Sequence, residues 1–516
     1  MDQKIDTGLD NRQIIRNMAF SIVSFLLNIS INFFLTPYIT SQLGSEAYGY
    51  VKLANDFANY ATLLTLAINS MSSRFIMLNR NSGKIEEAKK YYSCTAIANA
   101  VTAGIIAIPS ILIVVFVENI FAIPEHLLWQ VKVTFSITFL NFIINLVFSI
   151  FGNCYYLTNR LEVDSLRNAQ SKVINSAVVI SLLLLFKANI IFIVIGNLVS
   201  TVYCIVANLY FSKKFVPDME ISLRYFDIRK VKELITSGIW NSITKLSQML
   251  TSGLSLLITN LWVSSQMMGY MSVAKTIPNI IISLNGTVSN AFSSNLMILY
   301  AENNMNGLKK AIKTSIKIMC VFVAIPNAIL VSIGTEFFGL WVPEQPSQLL
   351  GVMAVLSVIN SCVTGVIQPL YQVFTITNKI RQSSIVMIIY GFVSIIITFI
   401  LLNTTGLGVY AILGVSVVLS VIVALGYHIP FSAIYLNLPW YTFYNEVIKS
   451  VIAFAIVTAV GFGIKYFFVF NSWVSWFSCA ILTGCIGLFL NICIVLKTDE
   501  RKVLFEKVKA KLGCHK

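Results

Sequence analysis

Four ionisable side chains stand inside stretches that are otherwise apolar. Lys52 and Asp56 lie four residues apart in LGSEAYGYVKLANDF (43–57), and Lys245 and Lys275 lie in two later runs. A charge at the centre of a membrane helix costs roughly 2.5–3.5 kcal/mol on insertion scales, so such a residue faces a cavity or a partner. At 1.5 Å per residue Lys245 is about 16 Å into its run, and Lys275 and Asp56 about 12–14 Å into theirs. Lys52 and Lys132 are only about 8 Å from the outer edge, close enough to snorkel, as is Lys465 near the end of a late run. Lys52 and Asp56 either pair with each other along one helix or face a cavity, and the spacing allows both. Lys245 and Lys275 have no acid in their own runs. A cavity with this balance is net positive and suits an anionic substrate, while Asp56 is placed to bind a coupling proton or Na⁺.

These charges share helical faces with uncharged polar residues. Asn17, Ser21, Ser24, Asn28 and Asn32 follow spacings of four and three, one face of a helix along its whole length. Asn241, Lys245, Gln248, Ser252, Ser255 and Thr259 do the same in a later run, and two further stripes contain Lys52 and Asp56, and Lys275 with Ser272 and Asn279. Such residues either join helices by hydrogen bonds or line a water-filled cavity. The stripes are richest at equivalent places in two parts of the chain, which favours the cavity and makes Asn28, Asn241 and Gln248 candidate contacts for substrate.

The elements that must position these residues are transmembrane helices. The 516 residues are 57% hydrophobic and only 11% charged, with a mean hydropathy of +0.79, against about 25% charged residues in a soluble chain. A crossing needs about 20 apolar residues. Such segments lie near 15–37, 47–73, 93–117, 127–157, 171–187, 189–211 and 234–262, then near 267–298, 315–341, 348–375, 383–403, 406–435, 444–469 and 472–496. The fold class is therefore an all-α polytopic membrane protein with about 14 transmembrane helices.

Most of the 37 basic residues fall in alternate loops and at the two ends. With positive charge retained inside, both termini are cytoplasmic and the net charge of +15 reflects orientation and contact with anionic membrane lipids. A nucleic-acid partner would need one continuous basic face, and none is present. No Cys/His cluster points to a metal, no motif calls for a cofactor, His126, His428 and His515 are scattered, and the polar N-terminus lacks a cleavable signal.

The chain repeats itself. SQLGSEAYGYVKLA (41–54) is answered by SQMMGYMSVAK (265–275), AIPS (107–110) by AIPN (324–327), and YLTNRL (156–161) by TITNKI (375–380). A six-span unit copied in parallel is a transporter architecture. The expected organisation is an N-terminus at 1–14, a first lobe at 15–211 (spans 1–6), a basic linker at 212–233, a second lobe at 234–435 (spans 7–12), two added spans at 444–496, and a basic tail at 497–516.

LGSEAYGY, followed after a polar span by SSRFI (72–76), resembles the N-terminal signature of Wzx-type polysaccharide flippases. These belong to the superfamily of multidrug and toxin extruders and the lipid II flippase, and the similarity runs over about 12–435. The resemblance implies a MATE-like pair of lobes with a cationic cavity between them. It implies movement of an undecaprenyl-diphosphate-linked oligosaccharide to the outer leaflet of the bacterial cell membrane by alternating access, with a polysaccharide polymerase as partner. Arg74 stands where the motif has an arginine.

Two rivals share the fold: an ion-coupled multidrug exporter and a lipid II flippase. An exporter of organic cations favours acids in its cavity, and this chain sets one acid against two deep lysines. An enzyme of the membrane surface, such as a glycosyltransferase, needs clustered groups on a sizeable loop, and the outer loops here are short.

Overall fold

The computed structural model describes residues 11–496, 500 and 501, with the side chains of 11–15, 18, 252, 294 and 301 excepted. The predicted N-terminus, apart from 11–14, and the tail, apart from Glu500 and Arg501, lie outside the described residues. So do the side chains of Ser252 and Ser294.

Among the described residues the chain is helical, with no strand. The first six rods are α1 (Asn11–Leu43), α2 (Ser45–Asn81), α3 (Ile85–Val115), α4 (Glu125–Leu157), α5 (Leu161–Leu185) and α6 (Ile191–Phe215). Span 7 consists of α7 (Ile228–Gln248), a π turn at Met249–Gly253 and α8 (Ser255–Trp262). Span 8 is split at Lys275 into α9 (Ser265–Ala274) and α10 (Thr276–Ala301). Then come α11 (Met305–Trp341), α12 (Ser347–Thr364), α13 (Gln368–Ile376), α14 (Ile380–Thr404), α15 (Val409–Tyr435), α16 (Tyr444–Lys465) and α17 (Trp473–Val495).

Twelve of these helices are long and apolar enough to cross a membrane. The other two expected crossings are spans 7 and 8, the most polar, each interrupted part-way. An all-helical multi-pass membrane protein is thus the architecture, and the count of fourteen is approximate. Apolar side chains such as Ile105, Ile108 and Ile111 point outward from α3, as lipid contact demands. Between helices lipid offers no hydrophobic driving force, so association rests on close packing and polar bonds.

The chain divides into two compact units, residues 1–246 with 264–269, and residues 247–263 with 270–516. Each has a dense cluster of buried side chains: Ile76, Tyr92, Ile150, Tyr155 and Leu234 in the first, Ile312, Met319, Val323, Ile367 and Leu370 in the second.

The repeat is visible in backbone detail. Asn159 and Asn378, equivalent in the YLTNRL and TITNKI motifs, both adopt positive φ, at 54° and 56°. Gly83 and Asn303, 220 positions apart, share the same left-handed turn at 74° and 53°. Asparagine and glycine are the residues that enter this region most readily. Pro109 and Pro326, from the AIPS and AIPN motifs, both sit inside helices, α3 and α11.

Linker residues after α6 fold back on the basic end of the first unit. Arg80 holds Asp218 at 2.8 Å, Lys89 holds Glu220 at 3.1 Å, and Lys230 holds Glu87 at 3.0 Å. Burial raises the Asp218 pKa, but the Arg80 hydrogen bonds prevail and hold it below the ordinary aspartate value. The Lys89 hydrogen bond likewise holds Glu220 below its ordinary value.

Three placements add to the sequence reading. Lys132, near the outer edge, pairs with Glu118 at 2.7 Å. Lys465 pairs with Glu336 of α11 at 2.6 Å. Lys172, at the start of the apolar segment near 171–187, lies well inside α5, whose helix starts at Leu161.

Candidate functional site

In the first unit the register of three helices can be fixed from their polar contacts. The helices α1 and α5 run parallel. Asn17 donates to the carbonyl oxygen and side-chain oxygen of Asn159 (3.3 and 3.2 Å) and accepts from the Glu162 N–H at 3.0 Å. Ser21 lies 3.0 Å from Ser165. The basic half of the α1 stripe therefore joins helices and does not line a cavity, which corrects the reading of the stripe as one continuous lining. Seven residues further along both helices, Asn28 stands level with Lys172.

The helices α1 and α2 run antiparallel, with the Thr36 and Tyr48 hydroxyls 3.5 Å apart. One turn on from that contact, Lys52 stands level with Asn32, and one turn further Asp56 stands level with Asn28. The Asn32 amide donates to the Asn28 side-chain oxygen at 2.8 Å. The result is a polar layer deep in the helices, with Asn28 and Asn32 on α1, Lys52 and Asp56 on α2, and Lys172 on α5.

Within this layer Lys52 is half-buried, and its Nζ lies 5.0 Å from the centre of the Tyr48 ring. A ring face is attractive to an ammonium but leaves its charge uncancelled. Lys172 is exposed on α5. Among the described residues no carboxylate lies within ion-pair distance of Lys52, Lys172 or Lys245. Eight other cations have carboxylate partners: Arg80, Lys89, Lys90, Lys132, Lys230, Lys313, Lys317 and Lys465.

Along α7, Gly238 packs so tightly on α2 that a Cβ there would lie 1.9 Å from the Ala67 carbonyl oxygen. Asn241 donates to Ser70 at 3.0 Å and Ser242 to the Leu63 carbonyl at 3.0 Å. Asn241 is thereby tied into a helix contact. Lys245 is half-buried in the last turn of α7 before the π turn. Gln248 ends the helix, exposed.

In the second unit Lys275 marks the break in span 8. Its Nζ donates to Ser255 Oγ at 2.6 Å, and Ser255 is the first residue after the π turn of span 7. Two interruptions in neighbouring spans are thus joined through one lysine. Interrupted membrane helices and π turns concentrate at binding sites, because they free backbone polar groups and redirect side chains.

Arg74 is exposed, 22 residues along α2 from Lys52, or about 33 Å. The structure does not bring it to the polar layer. Lys172 is the member that sequence reading missed. Its signal was the helical spacing of Leu161, Ser165, Lys172 and Ser176, which continues the α5 face past the start of the apolar run.

No family model matches the sequence. The chain is 25% identical over 503 residues to a protein of Bacillus subtilis (strain 168) described as "Uncharacterized membrane protein EpsK", covering 96% of this chain and 98% of that one. Among solved structures, the lipid II flippase MurJ in an inward closed conformation aligns with 92% of this chain and 98% of its own, at 15% identity and a TM-score of 0.68. An inward-facing MATE-family multidrug resistance transporter aligns with 82% of this chain and 98% of its own, at 17% identity and a TM-score of 0.58. A MOP-superfamily transporter from Pyrococcus furiosus, whose binding pocket has reversed polarity, aligns with 82% and 95% at 18% identity and a TM-score of 0.56. With lengths matched nearly end to end and the repeat in place, the chain has the fold of the MOP-superfamily transporters.

Proposed function

We propose that the protein is a flippase for undecaprenyl-diphosphate-linked oligosaccharide, carrying repeat units from the inner to the outer leaflet of the bacterial cytoplasmic membrane by alternating access. It is not an enzyme on this reading and needs no cofactor beyond a coupling ion. It feeds surface-polysaccharide synthesis and works beside a polysaccharide polymerase. Its basic loops and both termini face the cytoplasm, as positive charge retained inside requires.

One observation carries the reading. Several cations, Arg80, Lys132, Lys313 and Lys465 among them, are neutralised by carboxylates, while Lys52 and Lys245, within the helices, have none within ion-pair distance among the described residues. Lys275 meets a hydroxyl. Uncancelled cations in a low-dielectric setting are costly and are offset by an anionic ligand. A diphosphate is such a ligand. Moving its charge outward against a negative interior gains about 2.3 kcal/mol per charge per 100 mV. An exporter of organic cations has no use for this arrangement. The fold likeness to a lipid II flippase accords with a lipid-linked substrate.

The test is complementation. Cells lacking their own polysaccharide flippase would express the chain, and surface polymer and cytoplasm-facing lipid-linked oligosaccharide would be quantified. Restored polymer that is lost in Lys245→Ala and Lys275→Ala, with both variants at normal membrane levels, is the expected result. Normal export by both variants overturns the assignment of the cationic site.

A further inference from the structure

The linker between α6 and α7 sorts its charges. Each of its acids is engaged within the first unit: Asp218 by Arg80 at 2.8 Å, Glu220 by Lys89 at 3.1 Å, Asp227 by Arg229 at 3.3 Å, and Glu233 by the Tyr91 hydroxyl at 2.7 Å. The backbone is tied to α3 as well. Ser93 Oγ donates to the Glu220 carbonyl at 3.0 Å and accepts from the Ser222 N–H at 3.2 Å, and the Asp227 N–H donates to Cys94 Sγ at 3.2 Å. Of the linker cations, Arg229 and Lys230 stand beside acids. Lys213, Lys214, Arg224 and Lys232 are exposed, and among the described residues no carboxylate lies within ion-pair distance of any of them.

The same segment turns apolar side chains outward. Leu223 is 82% exposed and Ile228 66%, and Ile221 and Phe226 are exposed with them. Single exposed apolar residues are ordinary; a run of them beside uncancelled cations is not. Ile228 also begins an exposed stripe on α7, continued by Ile235 and Ile239 on the same face, with Lys232 between them. Glu233, Thr236 and Ser237 hold a different exposed face of that helix. A solvated loop explains the cations but not the stripe, and a lipid-facing helix explains the stripe but not the cations. The headgroup layer of a bilayer explains both, because there apolar side chains sink toward the acyl region while lysine and arginine reach the phosphates. With the linker acids engaged by the protein, the outward face is net positive and complements anionic headgroups.

We propose that the linker is a membrane-surface anchor. Ile221, Leu223, Phe226 and Ile228 enter the edge of the leaflet, and the exposed cations Arg224 and Lys232 hold the headgroups of anionic glycerophospholipids such as phosphatidylglycerol. The ties to α3 keep the segment in the shape that presents this face. Each basic residue near an anionic surface gives roughly a fivefold preference for charged lipid, and the preference weakens as salt screens it. The anchor is independent of what the protein transports. From the function proposed above it takes only the orientation, which makes the leaflet the cytoplasmic one.

The experiment replaces Leu223 with the photoreactive p-benzoylphenylalanine in the full-length protein. The protein is placed in nanodiscs of mixed phosphatidylcholine and phosphatidylglycerol, and its photo-adducts are identified by mass spectrometry. Phospholipid adducts are expected, enriched in phosphatidylglycerol beyond its share of the bilayer. The double variant Arg224→Gln with Lys232→Gln should lower that enrichment about fivefold or more at low salt. Arg224→Lys with Lys232→Arg should keep it, which ties the effect to charge and not to folding. Three results overturn the anchor: no lipid adduct, adducts of the two lipids in proportion to their shares, or, in intact cells, adducts to another protein in place of lipid. Any of these leaves the flippase reading standing, because export by Lys245→Ala and Lys275→Ala is measured separately.

Discussion

Gly49 and Gly269 occupy the same position of the two repeats and pack against each other, backbone on backbone. A Cβ on Gly49 would lie 3.0 Å from Gly269 Cα, and a Cβ on Gly269 would lie 2.6 Å from the Ser45 carbonyl oxygen and the Glu46 nitrogen. Two copies of one ancestral glycine thus make a close helix crossing, as small residues do in membranes. Backbone atoms cannot step aside as a flexible side chain can. Gly269→Ala should therefore cost about 1–3 kcal/mol by overpacking, read as a lowered melting temperature of the purified protein. Gly286→Ala, at a site with open space around it, is the control and should leave melting unchanged.

Docking of the linker should depend on pH with a definite sign. The carboxyls of Asp218 and Glu220 are held below their ordinary values by Arg80 and Lys89. A depressed folded pKa gives stabilisation that is complete above the ordinary carboxylate range, about 4, and lost as pH falls through the lower folded value. Protection of residues 216–227 against amide exchange, taken relative to the intrinsic rate at each pH, should be the same at pH 7 and pH 5 and should fall only below about pH 4. Asp218→Asn should show faster exchange at pH 7 and a flatter profile. A wild-type profile that loosens between pH 5 and 7 would contradict this origin.

Much of the architecture was legible because membrane insertion imposes simple constraints. Length, apolarity and the distribution of Lys and Arg are enough to place most crossings, and three short motifs exposed the repeat. What the sequence concealed was which surface each polar face meets. Asn17 and Ser21 share a stripe with Asn28, yet they bond to Asn159 and Ser165. An asparagine facing water and one facing a neighbouring helix have the same spacing. Lys172 was hidden because hydropathy marks where a helix becomes apolar, not where it begins. The π turn at Met249–Gly253 has no proline to announce it, whereas the interruption at Lys275 falls where Pro278 withholds the N–H that would bond the Ala274 carbonyl.

Asp56 is the acid of the polar layer, one turn from Lys52 on the same helix. Under the proposed function it binds the coupling proton or Na⁺, so Asp56→Asn should remove the dependence of transport on that ion while leaving the protein in the membrane. Transport assayed in proteoliposomes with and without imposed pH and Na⁺ gradients distinguishes the outcomes. Wild-type ion dependence retained by Asp56→Asn removes the residue from coupling.

Spans 13 and 14, outside the repeat, are attached to the second unit by defined contacts. Lys313 of α11 pairs with Glu446 at the start of α16 at 3.0 Å, and Glu336 near the other end of α11 pairs with Lys465 at 2.6 Å. Glu336→Lys should destabilise the protein by placing two cations together near the end of the packed helices. The double variant Glu336→Lys with Lys465→Glu should recover most of the loss. A coupling energy of about 0.5–3 kcal/mol from the four-member thermal-stability cycle is expected. A coupling near zero would reduce the pair to a surface contact.

The order of signs in those two pairs also works as a directional key. Read along α11 the charges run base then acid, and read along the parallel α16 from its matching end they run acid then base. Slide α16 by a turn and both matches are lost; turn it end for end and like charge meets like at each rim. A helix appended to an older twelve-span plan has no repeat partner to dictate its heading. Here two ordinary ion pairs, one at each rim, specify it.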